Sequence, residues 1–214
     1  MGFDYIRKDR GDFDPDERLN IELMPDNPVV LFEEWIKTAV DNKVSEPYAM
    51  TLSTVDKNNK PHGRILYLRD VIDGKLVFFS NYLSAKGTEM EKSPFVSCTF
   101  FWAELSRQLR VEGEVQKADE KVSDAYFASR PRKSQIGAWA SEQSSVLNEK
   151  DDLLNKLNAF DGQFKTEVPR PENWGGYLIK PDYFEFWLGQ PNRLHDRVVY
   201  KKTGSEWKKY YLNP

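Results

Sequence analysis

The apolar positions change period at Pro47. Before it, Leu31, Phe32, Trp35, Ile36, Ala39 and Val40 recur at helical spacing, and Asn27-Pro28 supplies an N-cap and a first helical residue, so a helix is predicted from residue 28. Beyond it the pattern is that of strands. These are expected over 48–55 and 62–72, joined by the polar turn Asp56-Lys57-Asn58-Asn59-Lys60, and Asp73-Gly74 makes a tight hairpin into 75–80. Ser84 can cap a short helix to residue 92, Pro94 ends it, and strands near 95–102 and 107–117 follow. A helix opening at Asp119 carries Val122, Tyr126 and Phe127 and must break near Arg130, because Pro131 disfavours helical backbone before it and suits the start of the next helix. Another helix is predicted over 149–163, and the tail returns to strands over 175–180, 183–188, 195–202 and 206–212, with Thr203-Gly204 as a turn. Strands dominate and no βαβ alternation occurs, so the pattern predicts a mainly β fold, an antiparallel barrel with peripheral helices. Residues 1–26, acidic and irregular, are expected to form a flexible N-terminal arm, and 27–214 a single domain.

Composition narrows the functional classes. The 214 residues are 39% hydrophobic, enough for a real core. Lys+Arg 31 against Asp+Glu 34 gives a net charge of −3, which speaks against a nucleic-acid or polybasic membrane surface. One cysteine, Cys98, and two histidines, His62 and His195, leave no disulfide framework and no metal site of Cys or His type. No apolar leader or membrane-length run is present, so a cytoplasmic protein is the expectation.

The positive charge is locally concentrated, which suits a small anionic ligand. Residues 129–145 gather Arg130, Arg132, Lys133, several serines and two glutamines around only Ile136, Ala138 and Trp139. Tyr126 and Arg130 lie four apart at a helix end, and Ser134 falls in the first turn of the next helix, where unpaired N–H groups favour an anion. The set reads as a phosphate cup or, equally, as a solvated helix–turn–helix surface. In Arg193-Leu194-His195-Asp196-Arg197, a strand would point 193, 195 and 197 to one face, either to meet an electron-rich ligand or as a charged edge strand. Arg64 and Arg69 are five apart, so both serve one site only if a bulge or strand end intervenes. Nucleophile elbows, Walker loops and dinucleotide fingerprints are absent, so an enzyme of this sequence would rely on a cofactor for its chemistry.

Several of these runs occur together, and in the same order, in one family. Arg64-x4-Arg69, Phe78-Phe79-Ser80-Asn81, Ser84-Ala85-Lys86, Arg107-Gln108, Ser129–Trp139, Gln143-Ser144, Glu185-Phe186-Trp187 and Arg193–Arg197 resemble the pyridoxamine 5′-phosphate oxidases. The resemblance runs from the helix near residue 28 to Trp207…Leu212-Asn213-Pro214. It implies an FMN-binding split β-barrel that works as a homodimer with FMN at the subunit interface, without nucleic-acid or membrane partners. The implied reaction oxidises pyridoxamine or pyridoxine 5′-phosphate to pyridoxal 5′-phosphate in vitamin B6 salvage. Dioxygen is the acceptor, hydrogen peroxide the product, and the amine substrate also releases ammonia.

By the same resemblance Arg64, Arg69, Phe79, Ser80, Lys86, Gln108, Gln143, Ser144, Trp187 and Arg197 contact FMN. Arg69, Tyr126, Arg130 and Ser134 hold the substrate phosphate, while Arg193 and His195 cover the pyridine ring and act in catalysis. The chain departs from the family in having Arg69 where lysine is usual, Ala85 where arginine is frequent, and no tyrosine just after Arg7-Lys8. The alternatives are an FMN oxidase of the phenazine-biosynthesis type on the same fold, or a non-catalytic FMN- or pyridoxal-phosphate-binding protein. The Tyr126/Arg130/Ser134 trio favours a phosphorylated substrate over the first, and Arg193 with His195 favours catalysis over the second.

Overall fold

A computed structural model describes residues 16–214. Its helices are α1 (Pro28–Asp41), α2 (Ala85–Lys92), α3 (Glu120–Ser129), α4 (Arg132–Ala140) and α5 (Lys150–Gln163). The strands are β1 (Ala49–Val55), β2 (Pro61–Tyr67), β3 (Asp70–Ile72), β4 (Lys75–Asn81), β5 (Phe95–Trp102), β6 (Arg107–Lys117), β7 (Trp174–Leu188), β8 (Asp196–Thr203) and β9 (Glu206–Tyr211). The capping side chains sit where the sequence places them: Asn27 accepts from Val29 N–H, Ser84 from Gly87 N–H and Asp119 from Lys121 N–H. At the β3–β4 hairpin Asp73 and Gly74 both have positive φ, 51° and 73°, the signature of the tight turn expected there.

The strands form one hydrogen-bonded sheet in the order β2-β1-β5-β6-β7-β4-β3, with β8 pairing β7 and β9 pairing β8. Two predicted boundaries differ. The strand expected over 62–72 is two, because the chain leaves β2 at Tyr67 and re-enters pairing at Asp70. The strands expected over 175–180 and 183–188 are one continuous β7. Pro181, which cannot donate to a ladder, lies inside it. Gly113 of β6 lies close against this stretch, where a Cβ would collide with the backbone of Lys180 and Pro181.

The chain divides into two compact units. One unit comprises Thr51–Ser97 and Gly113–Pro181. Within it β4 pairs β7 from Leu76↔Ile179 to Asn81↔Trp174, which fixes Phe79 and Ser80 at the end of a buried ladder. Phe127, Ile136, Val168 and Trp174 form an apolar cluster over which α3, α4 and α5 pack through Tyr126, Trp139, Leu157 and Phe160. At Gly87 a Cβ would overlap the Tyr82 carbonyl, so glycine lets the first turn of α2 lie against that loop.

The other unit comprises the residues up to Met50, Cys98–Glu112 and Asp182–Pro214. Its centre is aromatic: Phe32 and Trp35 of α1 meet Phe100, Trp102, Phe184 and Phe186 at centroid distances of 5.1–6.3 Å. Cys98 is fully buried, and desolvation pushes its thiol up to about 12. The described part of the expected N-terminal arm is tied to this unit. Glu17 pairs with Arg107 at 2.5 Å, the Leu19 and Ile21 N–H groups donate to Asp196 and the Tyr211 hydroxyl, and Tyr200 donates to the Pro25 carbonyl. Arg7-Lys8, with the rest of the arm up to residue 15, lies outside the described residues.

Candidate active site

Within the unit of Thr51–Ser97 and Gly113–Pro181, the first cationic cluster forms where β4 runs into α2. Ser84 ends the loop as N-cap, and the helix that it starts turns Lys86 inward to 6% exposure. The Lys86 ammonium donates to Ser80 Oγ at 3.1 Å, Ser84 Oγ at 3.0 Å and Gln143 Oε1 at 3.1 Å. All three acceptors are neutral. Burial first, then the charge of Arg64, lowers its pKa to about 8, with Glu89 acting weakly the other way. Ser144 follows Gln143 with φ 75° and is exposed.

Arg64 projects from β2 to Thr54 Oγ1 at 2.5 Å, the Leu52 carbonyl at 3.3 Å and Glu89 Oε2 at 3.2 Å. The strand end needed between Arg64 and Arg69 is present, since β2 stops at Tyr67. Arg69 itself is exposed, with its guanidinium 5.0 Å from the Tyr67 ring centroid.

The second cluster is built by the break between α3 and α4. Tyr126 stacks on Phe79 at 3.8 Å, and both rings lie within 12° of parallel to Trp174. Arg130 is the C-cap of α3, as the Pro131 break requires. Its guanidinium sits 4.4 Å from the Trp174 ring centroid and 5.6 Å from that of Phe127. Its Nη1 is buried without a hydrogen-bond partner among the described residues. Desolvation chiefly, with the charge of Arg69 adding to it, lowers its pKa, while Tyr126 opposes the shift. Two arginines close enough to disfavour each other, one with a buried unpaired donor, are arranged for an anion. Ser134 occupies the first turn of α4, half-buried.

The remaining predicted residues belong to the other unit. Arg193, His195 and Arg197 do not share a strand face, because β8 begins at Asp196. Residues 191–193 form a 3-10 turn in which Asn192 and Arg193 take positive φ, 58° and 62°. This replaces the expected alternation. Arg193 is exposed on that turn. His195 packs on Trp187 at 4.6 Å, and its Nδ1 accepts from the Gln190 N–H at 3.0 Å. That bond places the proton of the neutral ring on Nε2. Burial, then Arg193, lowers the His195 pKa, so the ring is a neutral Nε2–H donor at physiological pH. Gln108 lies half-buried on β6.

Arg197 is held by a carboxylate to which no role was assigned from the sequence. Glu185, 3% exposed, takes Arg197 Nε at 2.7 Å on Oε1 and Arg110 Nη2 at 2.7 Å on Oε2. Burial alone would raise its pKa, but the two guanidinium groups win and lower it. Arg197 Nη1 also donates to the Asn213 carbonyl at 2.9 Å. The available signal was a charged residue between Phe184 and Phe186 in a strand buried on both faces, which needs cationic partners. Glu89, Trp174 and Arg110 were likewise missed. Among the described residues no group of histidine, cysteine or acidic side chains could hold a metal ion.

Comparison with known proteins adds a family pattern. The pyridoxamine 5′-phosphate oxidase pattern matches residues 36–156, and that of the pyridoxine 5′-phosphate oxidase C-terminal dimerisation region matches 174–214. The pyridoxine/pyridoxamine 5′-phosphate oxidase of Actinobacillus succinogenes is 50% identical over 188 residues, 88% of this chain and 90% of that protein. Its counterpart in Neisseria meningitidis is 46% identical over 189 residues, again 88% and 90%. Among solved structures, PhzG from Burkholderia lata in complex with tetrahydrophenazine-1-carboxylic acid superposes with a TM-score of 0.88 at 26% identity, covering 94% of this chain and all of that one. A pyridoxamine 5′-phosphate oxidase-related, FMN-binding protein from Nostoc punctiforme shares the fold, with a TM-score of 0.69 at 17% identity over 90% of this chain and 99% of that one.

Proposed function

Because this chain belongs to the pyridoxine/pyridoxamine 5′-phosphate oxidase family, we infer that it is an FMN-dependent oxidase that converts pyridoxamine or pyridoxine 5′-phosphate to pyridoxal 5′-phosphate. It does so on a split β-barrel and as a homodimer joined through its C-terminal region. The observation that carries the substrate reading is Arg130, whose buried Nη1 lacks a partner beside Arg69 and Tyr126. An uncharged substrate group would leave that donor unsatisfied, whereas a phosphate supplies anionic acceptor oxygens. The higher identity to the B6 oxidases, 50% against 26%, favours the phosphorylated pyridine over the carboxylic acid bound by PhzG.

The residues present fit FMN. Lys86 is a buried ammonium with only neutral oxygen partners beside Arg64, the donor chemistry that a phosphate monoester requires. Arg64, Ser80, Lys86, Gln143 and Ser144 would hold the cofactor, with Phe79 behind them through its stack on Tyr126, and the family resemblance adds Gln108, Trp187 and Arg197 as cofactor contacts. Arg69, Tyr126, Arg130 and Ser134 would hold the substrate phosphate. When bound, FMN supplies the two-electron acceptor, and dioxygen takes those electrons on to hydrogen peroxide.

Arg193 and His195 would orient the substrate ring. His195, neutral with its proton on Nε2, donates a hydrogen bond without adding charge, and Arg193 provides a fixed positive charge where negative charge develops. With pyridoxine 5′-phosphate the CH₂OH group loses two electrons and two protons to become the aldehyde. With the amine, water enters and ammonia leaves. The place of action is the cytoplasm, in keeping with one buried cysteine and, among the described residues, no helix long and apolar enough to cross a membrane. Anaerobic mixing with pyridoxamine 5′-phosphate should bleach the flavin absorbance in a single turnover. A protein that retains FMN but does not bleach refutes the oxidase reading.

A further inference from the structure

A buried carboxylate stands beside the candidate cofactor cations. Glu89 lies on α2, one turn beyond Ala85 and 8% exposed, and each of its oxygens is occupied. His62 Nδ1 lies 2.6 Å from Oε1, while the Thr54 hydroxyl and Arg64 Nη2, the latter at 3.2 Å, donate to Oε2. Burial would raise this carboxyl; the Thr54 and His62 hydrogen bonds and the Arg64 charge outweigh it and lower its pKa. Glu89 is therefore an anion in the folded protein.

Its charge alone is a poor neighbour for a phosphate, so its position needs a reason. Arg64 and Lys86 repel each other strongly enough for Arg64 to depress the Lys86 pKa. Arg64 has five N–H donors, and among the described residues three are taken: two by Thr54 and the Leu52 carbonyl on β1, one by Glu89. The two left unused are fixed in direction by the three that are used. Without Glu89 the guanidinium would be tethered along one edge only and free to swing away from Lys86. Ala85, exposed at the first position of the same helix, offers no second guanidinium to take its place.

We propose that Glu89, clamped by His62, is a positioning residue that fixes Arg64 beside Lys86 and so completes the pocket for the cofactor phosphate. The inference rests on the assignment of Arg64 and Lys86 to FMN. Both Glu89 oxygens are engaged by protein groups, so its action runs through Arg64.

The test is a flavin-fluorescence titration of the dimeric apoprotein with FMN and with riboflavin, which lacks the phosphate. Wild type, E89Q, R64A and the double variant are compared. E89Q should weaken FMN about tenfold, leave riboflavin affinity unchanged, and add nothing in the R64A background. Equal losses for both flavins, an additive loss in the double variant, or no loss at all would overturn the proposal. If E89Q does not fold, H62Q, at a partly exposed position, replaces it. It should weaken FMN about threefold without affecting riboflavin, and an unchanged affinity would be equally fatal. Failure of the underlying assignment looks different: wild type would then bind riboflavin as tightly as FMN.

Discussion

Lys86 is a proton poised against its surroundings. Its pKa, lowered to about 8, makes the free pocket lose charge in mildly alkaline solution. The protonated form is the one that binds an anion, so FMN affinity should hold steady below that value and fall as pH rises through it. K86M should abolish the inflection and weaken binding at every pH, measured by the same fluorescence titration. Ala85 is exposed at the first position of α2, and A85R should tighten FMN by about tenfold through one more charge-assisted hydrogen bond. In the other unit Glu185 has a lowered pKa, so it contributes stability above the ordinary carboxylate range that disappears as pH falls through its folded value. E185Q should cost about 3 kcal/mol at neutral pH and flatten the acid limb of the stability curve, read from urea melts at stepped pH.

At the scale of elements, what could be read from the sequence was local. Asn27, Ser84 and Asp119 mark helix starts by their own side chains, Asp73-Gly74 marks its turn, and Pro131 marks the α3–α4 break that frames Arg130. What could not be read depends on conformations that the residue types disfavour, or on partners distant in sequence. Asn192 and Arg193 take positive φ without a glycine, so the strand pattern of 193–197 pointed to a face that does not exist. Glu89 drew no reading from the sequence, because its partners Thr54 and His62 lie 35 and 27 positions away. The resemblance to a family named candidate site residues but gave no role to Glu89 and Glu185, the carboxylates that hold Arg64 and Arg197. Gly87 tests the element directly. Gly to Ala inside an exposed helix usually stabilises by about 1 kcal/mol. Here G87A should lower both stability and FMN affinity, because the new methyl drives α2 off the Tyr82 carbonyl and takes Lys86 with it.

For the whole molecule, the family's C-terminal dimerisation region spans all of β7, β8 and β9. Sedimentation at micromolar concentration should therefore give a mass twice the 25.0 kDa of one chain. FMN should raise the melting temperature in proportion to the logarithm of its concentration, as mass action requires of a ligand that binds only the folded state. An oxidase of the proposed kind is also exposed to the hydrogen peroxide that it would generate. The sole sulfhydryl in this chain is Cys98, fully enclosed and held protonated far above physiological pH, so repeated turnover meets no thiolate to oxidise. A cysteine introduced at an exposed position would then be the one thiol open to a maleimide. Each subunit could thus carry a single defined label without any native residue being removed first.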